Sequence, residues 1–152
     1  MDNKNQINKE TGEIDIGNTK LQSTVTLNDF LLLPLAQEII GQRKGQYKSL
    51  LLRPQLIGET LFNVAIYFGP NDKLFKLSLS ICYDGKIRAW ENWTEEGERK
   101  LKGEHDKWLF TVFGKPHRFG AHGEVIYEFG WGEVVSAYDP RSAASNLTIR
   151  YY

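Results

Sequence analysis

Cysteine is nearly absent from this 152-residue chain, in which Cys82 stands alone. One thiol makes no intrachain disulfide and no zinc or iron–sulfur site built on a cysteine cluster. An excess of one charge is missing too. Nineteen basic residues balance nineteen acidic ones, whereas proteins that hold nucleic acid or an anionic membrane electrostatically carry a basic surplus. The balance is distributed: residues 94–122 carry six basic and five acidic side chains, and residues 123–152 carry two and four. Long apolar runs are also lacking. Phe30-Leu31-Leu32-Leu33-Pro34-Leu35-Ala36 falls far short of the ~20 residues a membrane helix needs. The first ten residues hold no apolar stretch of the secretory kind. A cytoplasmic protein without nucleic-acid or membrane partners is the expectation.

Catalytic signatures are equally scarce. There is no G-x-S-x-G, no S-x-x-K and no glycine loop closing in Gly-Lys-Ser/Thr. His117 and His122 flank a glycine-bearing segment at a spacing that could reach one metal ion. Neither an H-E-x-x-H helix nor a cysteine partner accompanies them, so a polar loop is expected. His105, in Glu104-His105-Asp106-Lys107, reads as a helix histidine hydrogen-bonded at the sheet edge. Cys82 reads as a small strand residue, and Glu124, Glu128 and Glu133 as solvated strand positions. No catalytic residue, metal or cofactor is predicted.

What the chain does have is 41% hydrophobic and 12% aromatic residues, enough for one core in a domain of this length. Residues 1–23 are polar, and after Met1 their apolar members are Ile7, Ile14, Ile16 and Leu21. That density predicts a flexible tail, leaving 24–152 as a single domain. Thr26 or Asn28 can cap a short helix that Pro34 interrupts, a further turn or two ends at Gly41, and Gln42–Gln46 reads as a loop. Strands are predicted over Tyr47–Ile57, Glu59–Phe68 and Lys73–Cys82, where Phe75, Leu77, Leu79 and Ile81 alternate with Lys76, Ser78, Ser80 and Cys82. Asp84-Gly85 suits a tight hairpin into Lys86–Trp90. Thr94 caps a long helix whose stripe is Leu101, His105, Trp108, Leu109 and Val112, stopped at Gly114 and Pro116. Strands over Glu124–Phe129, Gly132–Tyr138 and Asn146–Tyr152 complete the order. The expected class is α+β: a mostly antiparallel sheet of about six to seven strands, with one long helix and a short N-terminal helix packed on one face.

The aromatic residues are the most pointed functional signal. Trp90, Trp93 and Trp131 are candidate binding residues, with Trp131 set between Gly130 and Gly132, where glycines permit a bulge or a close backbone approach. Tyr138, Asp139 and Arg141 head a turn followed by small residues. Tryptophan, tyrosine and arginine together are what interface hot spots use, although tryptophans also fill cores, as Trp108 on the helix stripe is expected to do.

Thr26-Leu27-Asn28-Asp29-Phe30-Leu31, Glu104-His105-Asp106-Lys107-Trp108-Leu109 and the ending Trp131-Gly132, Tyr138-Asp139-Pro140-Arg141, Ile149-Arg150-Tyr151 resemble small bacterial α+β proteins of unassigned role. Such proteins occur among toxin-neutralising immunity proteins and mobile-element genes. The resemblance spans residues 24–152, implies a compact bacterial cytoplasmic domain and transfers no functional residue. The expectation is therefore a non-enzymatic protein-binding domain, immunity-like or accessory, that occludes another protein with its sheet face or with the loops around Trp131 and Arg141. The alternative is a small-ligand-binding domain or enzyme with a cavity between the sheet and the long helix.

Overall fold

Period-two alternation builds one large sheet. The computed structural model describes residues 6–83 and 93–152. A hairpin comes first, β1 (Ile14–Ile16) and β2 (Thr19–Leu21), followed by the short helix α1 (Leu27–Leu31) and a 3-10 turn over Pro34–Glu38. The strands β3 (Ile39–Lys44), β4 (Lys48–Ile57), β5 (Thr60–Phe68) and β6 (Leu74–Ile81) follow. After the long helix α2 (Glu95–Phe113) come β7 (Arg118–Phe119), β8 (Val125–Phe129), β9 (Gly132–Asp139) and β10 (Ala144–Tyr151). Eight strands form one antiparallel sheet in the order β3-β4-β5-β6-β10-β9-β8-β7, and β1 pairs with β2 alone.

The class is α+β, as the alternation implies, but the main sheet holds eight strands rather than six or seven. The additions are its two edges. β3 takes in Ile39–Gly41, expected as the end of a helical turn, and Gln42–Lys44, expected as a polar loop, and β7 lies inside the histidine-flanked loop. Edge strands are commonly polar, charged or very short, which blunts pairing with other chains, so hydrophobic periodicity passes over them. The hairpin expected at Asp84-Gly85 and the return strand Lys86–Trp90 lie outside the described residues.

Local chemistry accounts for the helix ends. Thr26 Oγ1 accepts from the Asp29 N–H at 3.1 Å while Asp29 Oδ2 accepts from the Thr26 N–H at 3.3 Å, a reciprocal capping box. Thr94 Oγ1 accepts from the Gly97 N–H at 3.0 Å, and Glu95, Glu96 and Glu98 stand in the first turn, where the helix dipole favours acids. The stripe Leu101, His105, Trp108, Leu109 and Val112 is buried as expected.

The register sends Leu50, Leu52, Val64, Ile66, Leu77, Leu79, Leu147, Ile149 and Val134 to one face of the sheet, and all are buried. Helix α2 covers that face over β6, β9 and β10. A helix about 10 Å wide leaves the rest of an eight-stranded sheet, about 38 Å across, uncovered. The start of the chain fills the gap. Ile7, Ile14, Ile16, Leu21, Phe30 and Leu35 are each at most 3% exposed and belong to the main core. The expectation of a flexible polar tail over residues 1–23 is thus corrected from Gln6 onward. Its apolar residues are few, but Ile14 and Ile16 point the same way from β1, and β1 packs against β4.

Truncating Ile14 tests this part of the core directly. Ile14→Ala is expected to lower unfolding stability by about 2–5 kcal/mol, the usual cost of emptying a buried isoleucine site, in urea titrations. A tail that made no core contacts would show no change.

Candidate functional site

The candidate residues fall into two groups at opposite ends of β9. Trp93, Tyr138, Asp139 and Arg141 come together at the β9–β10 turn beside the start of α2. There the Trp93 indole N–H donates to the Ala143 carbonyl at 2.7 Å, and the Arg99 guanidinium lies 4.6 Å from the Tyr138 ring centroid. The Asp139 carboxylate accepts from the Arg141 N–H at 2.9 Å, a local turn closure. The turn is therefore braced by its own aromatic and acidic residues, with Arg141 exposed. Trp90 lies outside the described residues.

Trp131 is elsewhere. Seven residue-to-residue steps of strand separate it from Tyr138, about 23 Å, so it shares no patch with the turn. Its ring stacks on Phe129 with centroids 5.0 Å apart and planes 6° from parallel, and sits 5.5 Å from the Tyr151 ring. Its indole N–H donates to the Lys9 carbonyl at 2.8 Å, and the Tyr151 hydroxyl donates to the Gly12 carbonyl at 2.7 Å. Gly12 has φ of +76° and lies so close that a Cβ there would enter the Trp131 ring. Trp131 thus clamps the N-terminal segment to the core. The close backbone approach expected around it is real at Gly132, where a Cβ would collide with the Arg150 carbonyl.

His105 is fully buried, and its Nε2 accepts from the Ile81 N–H at 3.0 Å. That bond ties α2 to the end of β6, a strand inside the sheet rather than at its edge. Nε2 spends its lone pair on the backbone, so it cannot act as a base toward the neighbouring Cys82. His117 is similarly committed, since its Nδ1 accepts from the Glu128 N–H at 2.8 Å. Among the described residues, no group of three His, Cys, Asp or Glu side chains is placed to hold a metal ion.

Two further features carry residues that the sequence did not mark as site residues. One is a cleft of about 410 Å³ between α2 and the ends of β5 and β6, lined by Glu59, Thr60, Cys82, Tyr83, Glu104 and Trp108 among others. It is open at the side, not a cavity enclosed between sheet and helix. Burial, and secondarily the Glu104 charge, pushes the Tyr83 hydroxyl above the ordinary tyrosine range. The Trp108 indole N–H is buried with no hydrogen-bond partner among the described residues.

The other is the sheet face opposite the core. Ala65, Tyr67, Lys76, Ser78, Thr148, Arg150, Glu133 and Val135 point to it, and each is half-buried or exposed. At one end Phe75 lies between Tyr47 and Tyr67, with centroids 4.8 Å and 6.4 Å away, and the Lys76 ammonium stands 4.2 Å from the Tyr67 ring. Burial, and then the Arg150 charge, lowers the Lys76 pKa from the ordinary lysine value. The sequence does carry the signal for this face, in the polar partners of the alternating strands, but says nothing of what covers them.

No family model, curated protein or solved structure matches the chain.

The clamp around Trp131 has a pH signature. Burial, and then the Glu13 charge, raises the Tyr151 pKa far above the usual tyrosine value. A folded pKa above the unfolded one means stability that is complete below about pH 10 and lost as pH rises further. Tyr151→Phe is expected to cost about 1–3 kcal/mol at pH 7, because it orphans the Gly12 carbonyl. Above pH 10 its stability should fall less steeply than that of the wild type, by up to about 1.4 kcal/mol per pH unit, in urea titrations at stepped pH.

Proposed function

We propose that this chain is a non-enzymatic protein-binding domain, immunity-like or accessory in kind, that occludes its partner with the open face of the eight-stranded sheet. The observation that carries the reading is the braced aromatic and cationic cluster Tyr47–Phe75–Tyr67–Lys76 on a sheet face that no described element covers. Side chains already held against each other lose little rotamer freedom on binding, and tyrosine with a cation is a common hot-spot pairing. The loops named at the outset are weaker candidates. Trp131 is occupied with the N-terminal segment, and Trp93 and Asp139 hold the β9–β10 turn.

A second reading rests on the cleft beside Trp108. The cleft is concave and sets the polar side chains of Glu59, Thr60 and Glu104 beside Trp108, the mixed lining that small ligands use. The cleft is the place a small-ligand-binding function would use.

One selection separates the two. Random peptides displayed against the intact chain should yield binders whose affinity falls at least tenfold, about 1.4 kcal/mol, with Ala65→Arg/Thr148→Arg on the open face. Those binders should be insensitive to Thr111→Arg, a substitution on α2 at a residue that also lines the cleft. Binders lost only with Thr111→Arg would move the function to the cleft, and an absence of binders would sink the protein-binding reading.

A further inference from the structure

The open face carries an ordered row of charges that its own molecule balances only in part. Register sets Lys76, Arg150, Glu133 and Glu128 side by side on β6, β10, β9 and β8. Across the sheet the row reads plus, plus, minus, minus. Lys76 stands directly opposite Arg150, and Glu133 directly opposite Glu128, like charges that oppose strand pairing, while Arg150 and Glu133 face each other as the one favourable pair of the row. Among the described residues, Lys76, Arg150 and Glu133 form no ion pair, and Glu128 pairs with Arg118 of the edge strand at 2.6 Å.

A row ordered in this way is complementary to its own reverse. A half-turn about an axis parallel to the strands, between β9 and β10, lays one open face on another. It brings Arg150 over Glu133 of the partner subunit and Lys76 over Glu128 of the partner subunit, with the reciprocal contacts generated by symmetry. The adjacent row, Ser78, Thr148, Val135 and Ile126, is uncharged up to Arg118 on the edge strand β7, and short enough over β6, β10, β9 and β8 for two sheets to approach the ~10 Å spacing of aligned packing. Under that axis β5 faces the two-residue β7 of the partner subunit and β6 faces its five-residue β8, so the overlapping strands project about 480 Å² per copy. Two copies would bury about 950 Å², the size of a weak, reversible pair. We infer that the open face pairs with a second copy of this chain, as a symmetric dimer about that axis. The inference rests on the reading of the open face as a protein-docking surface and names its occupant.

Sedimentation velocity of the intact chain from about 5 to 500 μM, at low and high salt, tests it. The expected result is a monomer of 17.5 kDa passing to a dimer as concentration rises, with affinity falling at least tenfold between 50 and 500 mM sodium chloride, as screening of ion pairs requires. Lys76→Glu/Arg150→Glu and Glu128→Lys/Glu133→Lys should each remain monomeric alone. Mixed in equal amounts they should associate, because every charge then faces its opposite. Association restored only on mixing excludes misfolding as the cause of either monomer. A wild type that stays monomeric throughout, or a dimer indifferent to salt or to both reversals, overturns the inference. Displayed peptides that still bind the open face would in that case leave the docking reading standing.

Discussion

An eight-stranded sheet with one strongly apolar face has to keep that face out of water, and this chain has one long helix to do it with. Everything else in the fold follows from the shortfall. Helix α2 covers β6, β9 and β10. The half of the sheet around β4 and β5 is covered by what precedes it in sequence: Ile7, the hairpin with Ile14, Ile16 and Leu21, Phe30 of α1 and Leu35 of the 3-10 turn. Each such side chain contributes roughly 1.5–3 kcal/mol when fully buried. The N-terminal segment is therefore a structural layer.

That layer is also tied down near its start. The anchor is polar and aromatic. Trp131 and Tyr151 reach across from β10 and the start of β9 to take the carbonyls of Lys9 and Gly12. Asn8 closes the same loop by accepting from the N–H groups of Glu10 and Thr11. From Trp131 a run of ring contacts continues through Phe129 and Phe113 to Tyr127. The Tyr127 hydroxyl then donates to the Gly114 carbonyl at the end of α2. One aromatic ladder thus links the two covering elements, which explains why a tryptophan flanked by glycines is here a packing device.

Much of the architecture was legible from residue order. The long helix has its cap at Thr94, its stop at Gly114 and its buried stripe where the 3.6-residue period places them, and His105 hydrogen-bonds to the sheet. The central strands follow their alternation except at the ends of β6: a register shift turns Phe75 onto the open face beside Tyr67 and buries Leu74 in its place, and Ser80 and Cys82 are buried rather than solvated. Three things were not legible. The polar edges β3 and β7 carry no periodic signal, because an edge strand gains from charge and brevity. The hairpin β1–β2 was hidden by low average hydrophobicity, although Ile14-Asp15-Ile16 does alternate. The separation of Trp131 from Tyr138 also escaped the reading, since residues close in sequence along one strand lie far apart in space.

The sequence by itself determined the α+β class, the antiparallel strands, the long helix and the exclusion of an intrachain disulfide and of cysteine-cluster metal sites, because these depend on local periodicity and on residue counts. Only the tertiary structure decided which face of the sheet is covered and by which segments. It also decided whether Trp131 serves a surface or a core, and that Lys76, Arg150, Glu133 and Glu128 line up across four strands. Those outcomes depend on strand order and register between segments distant in the chain. A period of two specifies that a strand has two faces, and long-range pairing settles what each of them meets.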